Sequence, residues 1–531
     1  MKYETQSTFV ILSSSLAAIL LAAGGSICDI AGVMIVLILA VIGLRSSWYS
    51  LLALFPMLFA INPAPQAIGP AEASFALLAA AGLFGSIVEE AREDGIASLI
   101  RRYRWPVLIA LVWSITNLFV AKDNGVTLND WARGAAPYCF LIFALPLSRA
   151  ILCQPERMAW IGWGVAAYLL MLMGHIVGYY LLNRLYEDYW IVGTGPNAFR
   201  IHKEALAQYP GAIGPYYDRI TLDLVRAMTV LMAAGLVMAF VVAVRAADRR
   251  VRVAAVLVSA LCLLAMLTTL TRSVLMMSMA AIFIFIIFLA WRDRRRLIRG
   301  LALLVALLLW GGAMTATFNM GAMWGSRINV LYQSANGIMA EVTRPEASLS
   351  KEKGTLTTST VTAINPSAIG QESTKKGEPK KAIIQTEAVA PSLASRVQEI
   401  HAAWGRFKQH PILGNGLGIK NSISYPTGHG LVVTEVDYIH DWFFYALMVG
   451  GVVGCGLYAF MLFGPAIMGW READKEPVVR QAFRFGILAF IGYGLTFAIC
   501  RQIDFNFLLA AAWATSLASR NWSRAQARLA H

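Results

Sequence analysis

The stretch "LLAMLTTLTRSVLMMSMAAIF", residues 263–283, decides how this chain is read. Two apolar runs, 253–270 and 274–291, meet at Arg272 with almost no loop between them. An apolar helix of about 20 residues crosses the ~30 Å hydrocarbon core of a bilayer. The stretch therefore reads as a transmembrane hairpin with a guanidinium at its tip.

The rest of the chain repeats that pattern. Of 531 residues, 58% are hydrophobic and only 14% charged. A soluble globular chain carries about 45–50% apolar and about 25% charged residues. The composition excludes an ordinary soluble domain, and length here counts spans. Apolar runs lie near 8–26, 29–44, 47–61, 72–88, 105–121, 135–152, 158–183, 223–244, 253–270, 274–291, 300–318, 439–463, 484–500 and 505–519. The expectation is an all-α polytopic integral membrane protein with about fourteen transmembrane helices, some of them short, tilted or re-entrant. Residues 1–25 have the look of a signal peptide, but further spans follow at once, so they read as a retained first helix. No repeat of 20–50 residues stands out.

The formal charge is +14. The basic residues fall in short clusters between apolar runs: "REDGIASLIRRYR" (92–104), "RAADRRVR" (245–252), "RDRRRLIR" (292–299) and "READKEPVVRQAFR" (471–484). Lys and Arg in short loops mark the cytoplasmic side. All four clusters, with Arg520, Arg524 and Arg528, fall on one side if both termini are cytoplasmic. Topology thus accounts for the charge, and no nucleic-acid-binding module is visible. Six cysteines all lie in or beside apolar runs, and none has zinc spacing.

Two long segments then lie outside, about 184–222 and 319–438. The expected division is an N-terminal transmembrane bundle (1–318), a large outer loop (319–438) and C-terminal transmembrane helices (439–531). Within the loop, 345–392 is rich in Thr, Ser, Lys, Glu and Pro and has no hydrophobic period. Such a composition cannot bury enough apolar surface to offset chain entropy, so disorder is expected. Across 393–418 the pattern changes to an amphipathic helix and a Gly-rich turn. Leu393, Val397, Ile400, Trp404 and Phe407 fall on one helical face, and Pro411 stops the helix before "ILGNGLG".

Charged residues at the edges of membrane runs are costly and ask for a reason. Arg272 at the outer face suits a phosphate, which guanidinium holds bidentately; the plainer reading is a snorkelling turn residue. Arg219 opens another span at the same face beside Tyr216, Tyr217 and Asp218, and pairing with Asp218 is its plainer reading. His440 precedes the apolar run in "YIHDWFFYALMVGG". Neutral imidazole can take a proton from a hydroxyl near neutral pH. Asp441 either orients that ring or favours the helix N-terminus, and an interfacial cap is the plainer reading of the pair. Arg219, Arg272 and His440 all reach one face, which fits a reaction between a membrane-held phosphate and an external acceptor. Arg396, His401 and Arg406 on the loop helix, Arg226, Arg327, His175, Arg501 and Asp504 are weaker candidates. "GNGLG" (414–418) could form a backbone anion nest. H-E-x-x-H, G-x-S-x-G and Walker A motifs are absent from the sequence.

Three stretches, "TLTRS" (269–273), "AAWGRFKQHPILGNGLG" (402–418) and "YIHDWFFYALMVGGVVGCGLY" (438–458), together resemble the bacterial O-antigen ligase and polymerase superfamily in motif, order and topology. The resemblance covers roughly 215–465. It implies a GT-C-like glycosyltransferase in the bacterial inner membrane. Such an enzyme transfers an oligo- or polysaccharide from a polyprenyl-pyrophosphate donor to an acceptor hydroxyl at the periplasmic face. It is metal-independent and inverting, with no cofactor. The implied partners are the lipid-linked glycan donor, a glycan or lipid A-core acceptor, membrane lipids and a polysaccharide assembly complex, with no nucleic acid. Lipopolysaccharide and exopolysaccharide synthesis are both compatible with it. By motif, His440 would activate the acceptor hydroxyl, Arg272 would hold the pyrophosphate, and Arg219 and Arg396 would assist. Two positions depart from the family pattern: Asp441 stands where Asn is usual, and Val449 where an acidic residue is usual. The competing readings are a lipid-linked oligosaccharide transporter and a non-catalytic scaffold.

Overall fold

The computed structural model describes residues 2–61, 68–185, 189–192, 199–202, 223–269, 272–318, 391–427, 430–436, 439–495 and 499–529. Within them the chain is helical almost throughout. The first eight helices are α1 (Lys2–Ala23), α2 (Ser26–Arg45), α3 (Ser47–Met57), α4 (Pro70–Glu93), α5 (Ile96–Asp123), α6 (Leu128–Cys139), α7 (Ala144–Cys153) and α8 (Arg157–Leu185). Then come α9 (Asp223–Arg245), α10 (Arg249–Thr269), α11 (Arg272–Arg292) and α12 (Arg294–Thr317). The last four are α13 (Pro391–Gln409), α14 (Trp442–Ile467), α15 (Val478–Gly494) and α16 (Ile503–Leu529). Two antiparallel hairpins interrupt them, β1 (Tyr189–Val192) with β2 (Phe199–His202), and β3 (Asn421–Thr427) with β4 (Gly430–Val436).

Ten helical segments among the described residues are long and apolar enough to cross a membrane. The chain is therefore an all-α, multi-pass membrane protein. The four remaining apolar runs, near 47–61, 223–244, 484–500 and 505–519, also contain helix, in α3, α9, α15 and α16. At 11 residues α3 reaches only ~16 Å, short of a full crossing. It is buried on all sides instead.

Helices in a bilayer gain little from hydrophobic partitioning against each other, so close packing at small residues decides which ones pair. Gly235 of α9 lies against Leu169 of α8, and Gly486 of α15 against Met238 of α9. A side chain at either place would collide with its neighbour. Aromatic rings fill the wider gaps, as where Phe507 meets Phe55 at 4.9 Å and Phe143 at 5.4 Å.

The packing fixes which helix ends lie together. Met277, near the start of α11, touches Gly492 near the end of α15. Gly494 touches Trp442, the first residue of α14. At the opposite end Phe288 packs on Phe485 and Trp470, and Arg245, the last residue of α9, reaches Asp293. The starts of α9, α11 and α14 therefore gather at one end, which also bears His440. The basic segments around 245–252, 292–299 and 471–484 gather at the other.

That basic end is stitched by buried charge. Arg480 and Arg484 are fully buried on α15. Arg484 ion-pairs with Glu476 and donates to the carbonyls of Ala466 and Met468; Arg480 donates to Pro465 and Met468. These are the last carbonyls of α14, which lack partners within the helix.

Candidate active site

His440 sits on the short segment between β4 and α14. Its ring Nδ1 lies 2.8 Å from one carboxylate oxygen of Glu399 and 2.9 Å from the other. Its backbone N–H donates to the same carboxylate at 2.9 Å. Glu399 belongs to α13 and is 2% exposed, while the His440 side chain stays 25% exposed. Burial pushes the Glu399 carboxyl up. The hydrogen bonds and charge of His440, with Arg396 nearby, outweigh that and hold it below its ordinary value. An ionised carboxylate can only accept, so the Nδ1 facing it carries the proton. In the neutral ring that leaves the lone pair on Nε2.

The neighbouring acid does a different job. Asp441 is the N-cap of α14, its Oδ1 accepting from the Phe444 N–H at 2.9 Å. Burial raises its carboxyl, opposed by the N–H groups of Phe444 and Phe443 and by Arg396. Of the two roles open to Asp441, it takes the helix cap, and Glu399 holds the ring. Arg396, one turn before Glu399 on α13, is felt electrostatically by both carboxylates. His440, Glu399, Asp441 and Arg396 thus form one cluster.

Local sequence explains the meeting. After α13 the Gly-rich turn and the β3–β4 hairpin carry the chain out and back, pairing Asn421 with Val436. Val436 is four residues before His440, so the ladder returns His440 to the side of α13. Among the described side chains of α13, Glu399 and Ala403 are buried, whereas Val397 and Trp404 are 45% and 41% exposed. The inward-turned acid is met by the His440 ring and backbone N–H, which donate to its carboxylate.

The "GNGLG" turn is a lock. Gly414, Gly416 and Gly418 all have φ between 73° and 87°. Each presses backbone to backbone on a different helix: Gly414 on Gly450 and Gly451 of α14, Gly416 on Ala121 of α5, Gly418 on Asp130 of α6. A Cβ there would come within 2.4–2.6 Å of those atoms. The N–H groups of Gly414, Asn415, Gly416 and Leu417 donate to His410 O, Met448 O, Val449 O and Asn117 Oδ1. They are spent on the protein, so these four do not form an anion nest. The turn docks where α14 is broken at Gly451, with φ 60°. Val449, the second departure from the family pattern, contributes its backbone carbonyl, which accepts from both Gly416 N–H and Asn117 Nδ2.

The other candidates are dispersed. Arg272 opens α11 at the His440 end; its side chain, like that of Arg226, lies outside the described residues. Arg219, Arg327 and the expected disordered segment up to residue 390 also lie outside them. His401 is exposed on α13, Arg406 is half-buried, and His175 stands edge-on to Phe59 at 5.9 Å. Asp504 is fully buried at the start of α16, capping the Phe505 N–H. Sequence reasoning missed Glu399. Its position falls off the apolar period of α13, so the sequence pattern alone assigns it to the solvent side.

No curated protein matches the chain. Residues 257–459 match the family model described as O-antigen ligase. The match begins within α10, spans Arg272, α13, the Gly-rich lock and the Glu399–His440 pair, and ends in α14. Over those residues this membrane protein is similar to the O-antigen ligase family.

Proposed function

We propose that the chain transfers an oligo- or polysaccharide from a polyprenyl-pyrophosphate donor to an acceptor hydroxyl, with His440 as general base. The observation that carries this is the buried Glu399 carboxylate on His440 Nδ1, which leaves Nε2 as the basic atom. As the acceptor oxygen bonds to the anomeric carbon, its proton passes to Nε2. The bond from that carbon to the pyrophosphate oxygen breaks, and polyprenyl pyrophosphate leaves with the electron pair. Attack opposite the leaving group inverts the anomeric centre. Imidazolium then forms against Glu399, whose charge stabilises it.

The leaving group gains negative charge, which arginines can balance without a metal. Arg272 and Arg219 are assigned to that task. Arg272 opens α11 at the His440 end, Arg219 comes four residues before α9, which starts at that end too, and the phosphates of a membrane-anchored donor are expected at that depth. Arg396 keeps the two carboxylates of the cluster in balance. Under this reading 319–438 is the periplasmic loop between the membrane bundles 1–318 and 439–531, both termini are cytoplasmic, and the basic end faces the cytoplasm. The membrane is then the bacterial inner membrane. Ligase and polymerase activity would use the same site with different acceptors.

The test is transfer by purified protein in liposomes loaded with lipid-linked glycan and acceptor. Transfer that persists in chelator and disappears in Arg272→Ala supports the assignment. Transfer that needs a divalent metal contradicts it.

A further inference from the structure

Apart from the edge of the Phe444 ring, which meets Trp404 at 6.4 Å, the outer side of α13 stays exposed among the described residues, and its chemistry is specific. Val397 and Trp404 are 45% and 41% exposed, and Ile412 just beyond the helix is 67% exposed. Lys408 lies with its ammonium 5.9 Å over the Trp404 ring. The helix carries Arg396, Arg406 and Lys408 against one acid, Glu399, which is turned inward. An apolar stripe edged by Trp and Lys is the pattern of a helix lying in a membrane interface: the ring sits at headgroup depth and the lysine reaches up to phosphate.

The stripe also ends beside a lipid-facing surface. The N–H of Val453 donates to Ile412 O at 3.3 Å, and Val452 and Val453 are 59% and 44% exposed on a helix long and apolar enough to span. That hydrogen bond sets the exposed Ile412, three residues beyond the end of α13, beside the exposed valines of that span.

We infer that α13 is embedded along the bilayer surface on the His440 side, with Val397, Trp404 and Ile412 against acyl chains and Lys408 at the headgroups. This holds the opposite side of the helix, with Glu399 and its partner His440, close to headgroup level. The surface is independent of the chemistry assigned to His440.

The test is electron paramagnetic resonance on the full-length chain in proteoliposomes. Cys28, Cys139 and Cys153 are first replaced by Ser, and nitroxide is attached at Val397→Cys, Trp404→Cys or Ile412→Cys. Leu309→Cys on α12 serves as a lipid-facing control and Lys420→Cys as a water-facing one. Collisions with oxygen, which concentrates in lipid, are compared with those of a water-soluble nickel chelate. An oxygen-to-nickel ratio several-fold above that at Lys420, and approaching that at Leu309, is expected at all three sites. A ratio like that at Lys420 puts the strip in water and overturns the inference. Exclusion of both reagents also overturns it, because the strip is then covered by protein.

Discussion

Glu399 and His440 are separated by 41 positions in sequence, yet the carboxylate holds both the ring Nδ1, at 2.8 Å, and the backbone N–H of the histidine. One side chain therefore fixes the ring's orientation and the direction in which the chain enters α14. Glu399→Gln keeps the shape but replaces a charge-assisted hydrogen bond with a neutral one. The stabilisation lost as imidazolium forms is about 1.5–3 kcal/mol. Steady-state assays should show kcat falling about 10- to 100-fold with the donor KM unchanged. An unchanged kcat would remove Glu399 from the reaction.

The same pair predicts an acid limit. A carboxyl held lower in the folded state than in the unfolded chain contributes stability above its unfolded value, lost as pH falls through its folded value. Glu399 is such a group, and the ordinary carboxyl value is about 4.3. Hydrogen exchange should find α13 equally protected from about pH 7 to about 5, with the contribution of the pair lost only at lower pH. Glu399→Gln should remove that acid step.

The glycine lock should tolerate no side chain. Gly416→Ala demands both a left-handed alanine and a Cβ 2.4 Å from Ala121 Cα. Strain and overpacking together should cost about 2–5 kcal/mol. Gly125→Ala has a similar φ of 77° but open space around it, so only the conformational cost of about 1 kcal/mol applies. Thermal unfolding in detergent compares them, and equal losses would mean that the close approach is unimportant.

Asn117 is the polar hub behind the lock. It is 1% exposed, donates to Val449 O at 3.0 Å, and accepts from Trp131 Nε1 and from the Leu417 N–H. Asn117→Ala leaves those groups without their partner, at about 2–5 kcal/mol in total. Asn124, which is less buried and only donates to two carbonyls, should cost about 1 kcal/mol when replaced by Ala. A double-mutant cycle of Asn117→Ala with Gly416→Ala should be strongly non-additive, because both loosen the same turn.

The membrane fold was legible because bilayer thickness imposes a length on every apolar run, and the helices follow those runs. The histidine was legible because an ionisable group at the edge of such a run is conspicuous. Glu399 was not, since between Val397 and Ile400 an acid reads as the solvent side of an amphipathic helix. Only the packing of α13 on the start of α14 turns that side inward. The β3–β4 hairpin was also missed, although Gly428 and Gly430 mark a turn within a β-rich stretch; the helical pattern on either side hid it. The Gly-rich turn was visible, but the three helices it touches come from distant parts of the chain, so its role as a lock could not be read locally.

The most direct test compares strains that lack the protein, carry it unchanged, or carry His440→Ala at equal membrane level. Surface polysaccharide is resolved on a gel, and lipid-linked glycan is extracted in parallel. The account predicts that His440→Ala matches the deletion, with glycan retained on the polyprenyl carrier and none of the transferred product. Transfer at the normal level by His440→Ala would contradict it and leave the Glu399–His440 pair a structural clasp.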